Sequence, residues 1–203
     1  MDPSVNQKVP NRSPVLSVRT LTQGLFLLLL VGLCIANGLL IKQNRDLKAF
    51  IASNQPEFLK PGQQVPLLAA NTLSGQRQAV NYTARAKTVL LVFTPGCAAC
   101  ERTVPYWREI RAASIRDQYQ IFGISLGDGL KSNSFLTSNG LSLDTLVDID
   151  VETRGAYKLS LTPLTIVIDN HGKVEKIWPG AFNQQSKQEV EKYFGFSVVD
   201  DVK

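Results

Sequence analysis

The sequence predicts an α/β domain with a mixed central sheet flanked by helices, placed behind one N-terminal membrane-spanning helix. Three observations lead there. No residue from Thr20 to Ile41 is charged. Three later stretches, 88–93, 119–126 and 164–169, read as central strands, the first of them a continuous apolar run, the pattern of a strand buried on both faces. Helical-period stretches alternate with them, and the last run ends in an Asn170-His171-Gly172 turn followed by a partner strand.

The elements follow in order. Residues 1–20 are polar, hold Pro3, Pro10 and Pro14, and read as a short tail without a core of its own. The core of the next segment, LFLLLLVGLCIANGLLI, is long enough at ~1.5 Å per residue to cross a hydrocarbon layer. A cleaved signal would carry a shorter apolar stretch of ~7–15 residues and a small-residue cleavage site. Here Lys42, Gln43, Asn44 and Arg45 follow the run directly, so 21–41 is assigned as an uncleaved anchor. Cys34 lies within it as a small apolar residue, and Leu33 before it does not suit a lipoprotein signal. Residues 42–60 form a helical or extended stalk, 61–198 the α/β domain and 199–203 a C-terminal tail.

Within the domain, VPLLAANTLSG and QRQAVNY read as two short strands about a Ser74-Gly75 turn. TVLLVF is a buried strand, and a helix starts near Cys97 and passes Trp107 and Ile110. YQIFGISL is a second buried strand, LKSNSFLTSNG a helix closed by Gly140, and LTIVID a third strand paired antiparallel with KVEKIW. QSKQEVEKYFGF has apolar residues at helical spacing and closes the chain.

The net charge of +5 is unevenly placed. Up to Lys60 there are seven basic residues against three acidic, and beyond it fifteen against fourteen. The excess therefore brackets the anchor, and no basic stripe interleaved with aromatics supports nucleic-acid binding. Lys8, Arg12 and Arg19 precede the span while Lys42, Arg45 and Lys48 follow it, so the flanking charges alone do not orient it.

The chemistry concentrates at Cys97 and Cys100. A structural zinc needs four ligands, and the remaining candidates are Cys34 in the span and His171 in a distant turn. A strand followed by TPG-CAAC and a helix instead puts Cys97 at a helix N-terminus. There, unpaired N–H groups and the helix dipole stabilise a thiolate and can bring a thiol from ~8.5 to between about 3.5 and 7.5. Cys100, one turn further in, is expected to be covered and to resolve a mixed disulfide. Tyr106 and Trp107, at helical spacing, are assigned to the core, and His171 is given no role.

VFTPGCAACERTVPYW resembles the active-site segment of thioredoxin-fold proteins, with Pro105 matching the proline five residues after the second cysteine. GAYKLSLTPLTIVID resembles the segment that holds the cis-proline facing the cysteine pair, with Thr162-Pro163 as the match. The stretch FLTSNGLSLDTLVDIDVETRGAYKL is similar to the insertion of the TlpA-like, or redoxin, branch. The resemblance covers about residues 60–196 and implies a thioredoxin-like fold. It also implies a catalytic Cys97–Cys100 pair exchanging disulfides with cysteines of partner proteins, often in cytochrome maturation. Thr162 and Pro163 would contact substrate, and no cofactor or metal is implied. It further implies a domain outside the plasma (inner) membrane, a cytoplasmic N-terminus and a membrane-embedded electron donor or acceptor.

Two departures stand out. Pro95-Gly96 replaces the tryptophan common before the first cysteine, and Leu91 falls where thioredoxin has a buried aspartate. The group that takes the Cys100 proton is therefore open. The motif does not set the direction of transfer either, since potentials of such pairs run from about −270 to −120 mV. The alternative is a peroxiredoxin-type thiol peroxidase using Cys97, with Thr94 three residues before it. Leu90 stands where those enzymes place a proline, which weakens that match.

Overall fold

The computed structural model of the protein describes residues 18–53, 56–117 and 119–198. The assigned C-terminal tail, 199–203, and residues 1–17 of the N-terminal one lie outside them. The chain divides into two units, Met1–Gln55 and Pro56–Lys203.

Among its described residues the first unit holds one helix, α1 (Val18–Ser53), of 36 residues. Leu21–Ile51 is long and apolar enough to cross a membrane, and its large apolar side chains, such as Phe26, Leu28 and Leu33, are exposed. The helix does not end with the uncharged run: it continues through Lys42, Arg45 and Lys48, in a stretch that contains neither Gly nor Pro. Straight-chain residues lose little freedom in a helix, and the first proline beyond is Pro56.

The second unit is built on a seven-stranded sheet of order β2-β1-β5-β4-β3-β6-β7. Its strands are β1 (Ala69–Thr72), β2 (Arg77–Ala79), β3 (Lys87–Phe93), β4 (Gln120–Ser125), β5 (Asp144–Val147), β6 (Leu164–Asp169) and β7 (Val174–Pro179). β3, β4 and β5 run parallel, whereas β6 pairs antiparallel with β3, β7 with β6, and β1 with both β5 and β2. The crossovers use α2 (Ala98–Asp117), α3 (Gly129–Ser138) and α4 (Val151–Ala156), and α5 (Gln184–Phe194) closes the unit. The sheet is mixed and carries helices, as the alternation of apolar runs and helical stretches implies.

Burial explains which runs became long strands. In β3, Val89, Leu91 and Phe93 face α2, α3 and α5 in one cluster with Val104, Trp107, Ile110, Phe135 and Phe194. Leu90 and Val92 face the other way, into a cluster with Leu59, Leu68, Tyr157 and Ile166. A strand covered on both faces has no solvent side to mark with polar residues, which is why TVLLVF shows no alternation. The VPLLAANTLSG run forms a shorter strand than its length suggests. Val65 and Leu68 turn into the second cluster, and pairing before Ala69 is limited to one bridge, Gln64 with Lys173. The Tyr82 and Tyr157 hydroxyls meet inside that cluster, and Tyr157 also donates to the Pro66 carbonyl, tying this segment to the end of α4.

Candidate active site

The site forms where β3 leaves the sheet. The strand ends at Phe93, and Thr94-Pro95-Gly96 reverse the chain, with Gly96 at φ 77°, a conformation that favours a residue without Cβ. The Cys97 N–H donates to the Thr94 carbonyl at 3.2 Å, and α2 begins at the next residue. Cys97 then serves the helix as a cap. Its carbonyl accepts from the Cys100 and Glu101 N–H groups at 2.9 and 3.1 Å, and its sulfur accepts from Cys100 N–H at 3.2 Å. The first turn of a helix has N–H groups short of intrahelical partners, and here the Cys100 N–H is shared between the Cys97 carbonyl and sulfur.

The two thiols are in different surroundings. Cys97 is half-buried and Cys100 is 0% exposed. Neither is in a disulfide. Partial burial opposes charge on Cys97, but the Cys100 thiol and N–H, the Thr162 hydroxyl and the Ala99 N–H outweigh it and hold the Cys97 thiol below its ordinary value. Burial pushes the Cys100 thiol up to about 12, aided by the adjacent Cys97 sulfur. The reactive species in disulfide exchange is the thiolate, and these surroundings favour it at Cys97 over Cys100. With iodoacetamide at pH 7–8, Cys97 is expected to be alkylated with a midpoint below the ~8.5 of a free cysteine, while Cys100 stays unmodified. Peptide mass spectrometry reads both, and equal labelling of the two would contradict this assignment.

β6 brings the second half of the site alongside. Its antiparallel register sets Leu164 opposite Val92, so the residues before it lie beside the β3–α2 turn. The Thr162–Pro163 peptide bond is cis. The Thr162 carbonyl and hydroxyl each lie 3.8 Å from the Cys97 sulfur, the first accepting from the thiol and the second donating to it. The Thr162 hydroxyl also donates to the Thr94 hydroxyl at 3.2 Å. The Pro163 carbonyl is taken by the Gly180 N–H at 2.8 Å. Cys97, Cys100, Thr162 and Pro163 are thus brought together from segments more than sixty residues apart.

Two partners were not evident from sequence. Thr94 reads there only as part of a peroxidase-like segment, yet its hydroxyl is tied to Thr162. Gly127, in the turn after β4, packs on Pro95: a Cβ placed there would come within 2.6 Å of the proline Cδ. Gly127→Ala is therefore expected to cost about 1–3 kcal/mol, as overpacking does, and to displace the Cys97 turn. Denaturant unfolding and the Cys97 alkylation rate check it, and a variant equal to the parent in both contradicts it. No sequence signal marks this contact, because the two residues meet only once β3 and β4 are paired.

Tyr106 and Trp107 are core residues. Trp107 is fully buried with its indole N–H on the Thr165 hydroxyl at 3.0 Å, and Tyr106 packs edge-on against Phe182. His171 is exposed in the β6–β7 turn. Glu101 is exposed on α2. No group of three or more His, Cys, Asp or Glu side chains among the described residues is arranged to hold a metal ion.

A four-helix, seven-strand mixed sheet with a C-x-x-C at the start of the first crossover helix and a cis-proline beside it defines the thioredoxin-like fold. Solved structures agree. The thioredoxin domain of a thiol-disulfide oxidoreductase from Bacteroides vulgatus superposes with TM-score 0.55 at 17% identity, covering 67% of this chain and 99% of that one. StoA from Bacillus subtilis superposes with TM-score 0.51 at 19% identity, covering 64% and 98%. The chain belongs to the AhpC/TSA family, whose pattern it matches over residues 61–177. Among curated proteins it is similar to the thiol-disulfide oxidoreductase ResA of Geobacillus thermodenitrificans, 31% identical over 110 residues. That match spans 53% of this chain and 63% of the relative's length.

Proposed function

We propose that the protein is a membrane-anchored thiol–disulfide oxidoreductase that exchanges a Cys97–Cys100 dithiol or disulfide with cysteines of partner proteins. The observation that carries this reading is the pairing of a half-buried Cys97, its thiol favoured toward the thiolate, with a covered Cys100 whose N–H donates to the Cys97 sulfur at 3.2 Å. In the reducing direction, the Cys97 thiolate attacks a partner disulfide, forms a mixed disulfide and releases one partner thiolate. Cys100 then attacks the Cys97 sulfur, closes the internal disulfide and frees the second. Run backward, the same steps insert a disulfide. The Thr162 backbone lies beside Cys97 and is suited to hold an extended partner segment while this happens.

The anchor is α1, with the N-terminus in the cytoplasm and the thioredoxin-like unit on the outer side of the plasma (inner) membrane, the periplasm in a two-membrane cell. Its partners are proteins with thiols or disulfides, in the manner implied by the name of the ResA relative. A membrane-embedded electron donor or acceptor resets the pair. A nearby second thiol that closes onto the first favours disulfide exchange over peroxide reduction as the main chemistry.

The full-length chain in detergent micelles, supplied with dithiothreitol, is expected to accelerate reduction of the insulin disulfides. A rate equal to that of dithiothreitol alone removes the proposal.

A further inference from the structure

We propose that Ser125 and Ser132 are positioning residues for Cys97: their hydroxyls staple the turn after β4, and that turn holds the Cys97 segment where its sulfur meets Thr162 and the Cys100 N–H. The inference rests on the dithiol reading above and gives a role to two residues outside the cysteine pair.

Both serines are 0% exposed, Ser125 at the end of β4 and Ser132 in α3. Their hydroxyl oxygens lie 2.6 Å apart. A hydroxyl has a single proton to donate, and that of Ser132 goes to the Asp128 carbonyl at 2.5 Å. Ser125 therefore donates to Ser132, and its own oxygen accepts the Gly127 N–H at 3.1 Å. The result is a one-way chain from the Gly127 N–H through Ser125 and Ser132 to the Asp128 carbonyl. It starts and ends on the backbone of one turn, so the two side chains fix that turn jointly, and removing either hydroxyl breaks the path.

The stapled turn grips the active-site segment at two points. The Leu126 N–H donates to the Phe93 carbonyl at 2.9 Å, and Gly127 packs directly on the Pro95 ring. Thr94 is the residue between those two anchors. Its carbonyl accepts the Cys97 N–H at 3.2 Å, and its hydroxyl accepts from Thr162 at 3.2 Å. Thr162 in turn places its carbonyl and hydroxyl 3.8 Å from the Cys97 sulfur. In Ser125→Ala the Gly127 N–H loses its buried acceptor and turns to water, which releases the turn from Pro95 and loosens Thr94. The contacts that favour the Cys97 thiolate then lengthen, and hydrogen bonds weaken steeply as their geometry degrades.

The rate of Cys97 alkylation by iodoacetamide is measured against pH on the reduced full-length chain in micelles, with peptide mass spectrometry locating the label. In Ser125→Ala and in Ser132→Ala the midpoint is expected to rise by about half to one pH unit. The rate on the acid side of the midpoint then falls about three- to tenfold, the worth of roughly one hydrogen bond. Ser114→Ala removes another buried serine hydroxyl, bonded to the Arg111 carbonyl in the last third of α2, and should leave the midpoint unchanged. That comparison separates positioning from a general loss of stability. Ser132 lies in a helix, where alanine is the most favourable residue, so its variant keeps the test open should Ser125→Ala fail to fold. The inference is overturned if the folded alanine variants keep the parent's pH profile, or if Ser114→Ala moves the midpoint as far. A parent whose Cys97 titrates like a free cysteine and takes up no glutathione from glutathione disulfide would instead remove the dithiol reading.

Discussion

Replacing Cys97 with serine is expected to reduce disulfide exchange by on the order of 10³-fold or more, because an alcohol stays protonated at neutral pH and is a poor nucleophile toward sulfur. The hydrogen bonds that favour the Cys97 thiolate, from Cys100, Thr162 and Ala99, have nothing to stabilise in the variant. Cys100→Ser should behave differently. It leaves the attacking thiolate in place and removes the resolving thiol, so the first half of the exchange proceeds and the chain accumulates as a mixed disulfide with its partner. The pair of variants is diagnostic together, read by insulin reduction and by mass of the full-length chain. Activity surviving in Cys97→Ser, or a mixed disulfide carried by Cys100 in the parent, would reverse the assigned roles.

The second large effect is on stability. Trp107 is 0% exposed and sits among Val104, Ile110, Val167 and Phe194 between α2 and the sheet. Its indole N–H also satisfies Thr165, which is buried in β6. Trp107→Ala is expected to cost about 3–5 kcal/mol through the lost contacts and the cavity left behind. Against the ~5–15 kcal/mol of a typical domain, that is a large share. The melting temperature should fall by roughly 10–20 °C. Trp107→Phe keeps most of the volume and gives up the hydrogen bond, so about 1–2 kcal/mol is expected. Calorimetry on the full-length variants measures both, and a loss below about 1 kcal/mol for the alanine variant would contradict the assignment of Trp107 to the core. Because α2 carries Cys100 and Trp107 two turns apart on one buried face, the alanine variant should also loosen the cover over Cys100.

Much of this was legible in the residues, for identifiable reasons. TVLLVF shows no polar–apolar alternation because β3 is covered on both faces, and LTIVID has the extent of β6. The active-site turn is local: a buried strand, Pro95-Gly96, and two cysteines one helical turn apart determine where Cys97 and Cys100 lie without reference to the rest of the chain. Thr162-Pro163 was legible through resemblance, not through propensity, which also permits an ordinary strand start.

What was less legible depends on pairing between distant segments. β5 lies between β4, the strand before it in the chain, and the distant β1, and no local pattern in LDTLVDID specifies the pairing with β1. The contact of Gly127 with Pro95 and the hydroxyl pair of Thr94 and Thr162 arise from the register of β3 with β4 and β6. The length of α1 beyond Ile41 had a different cause. Charge ends an apolar run but does not end a helix, and Lys42 to Ser53 contain no breaker.

Cys97 and Cys100 are expected to form a working redox pair, which its equilibrium in defined glutathione buffers tests directly. The full-length chain in micelles is equilibrated, trapped by alkylation and read by mass at Cys97 and Cys100. The predicted result is one internal disulfide that forms and opens as a two-electron couple, with a midpoint between about −270 and −120 mV. A pair that stays reduced, or links only between chains, in every buffer would contradict it.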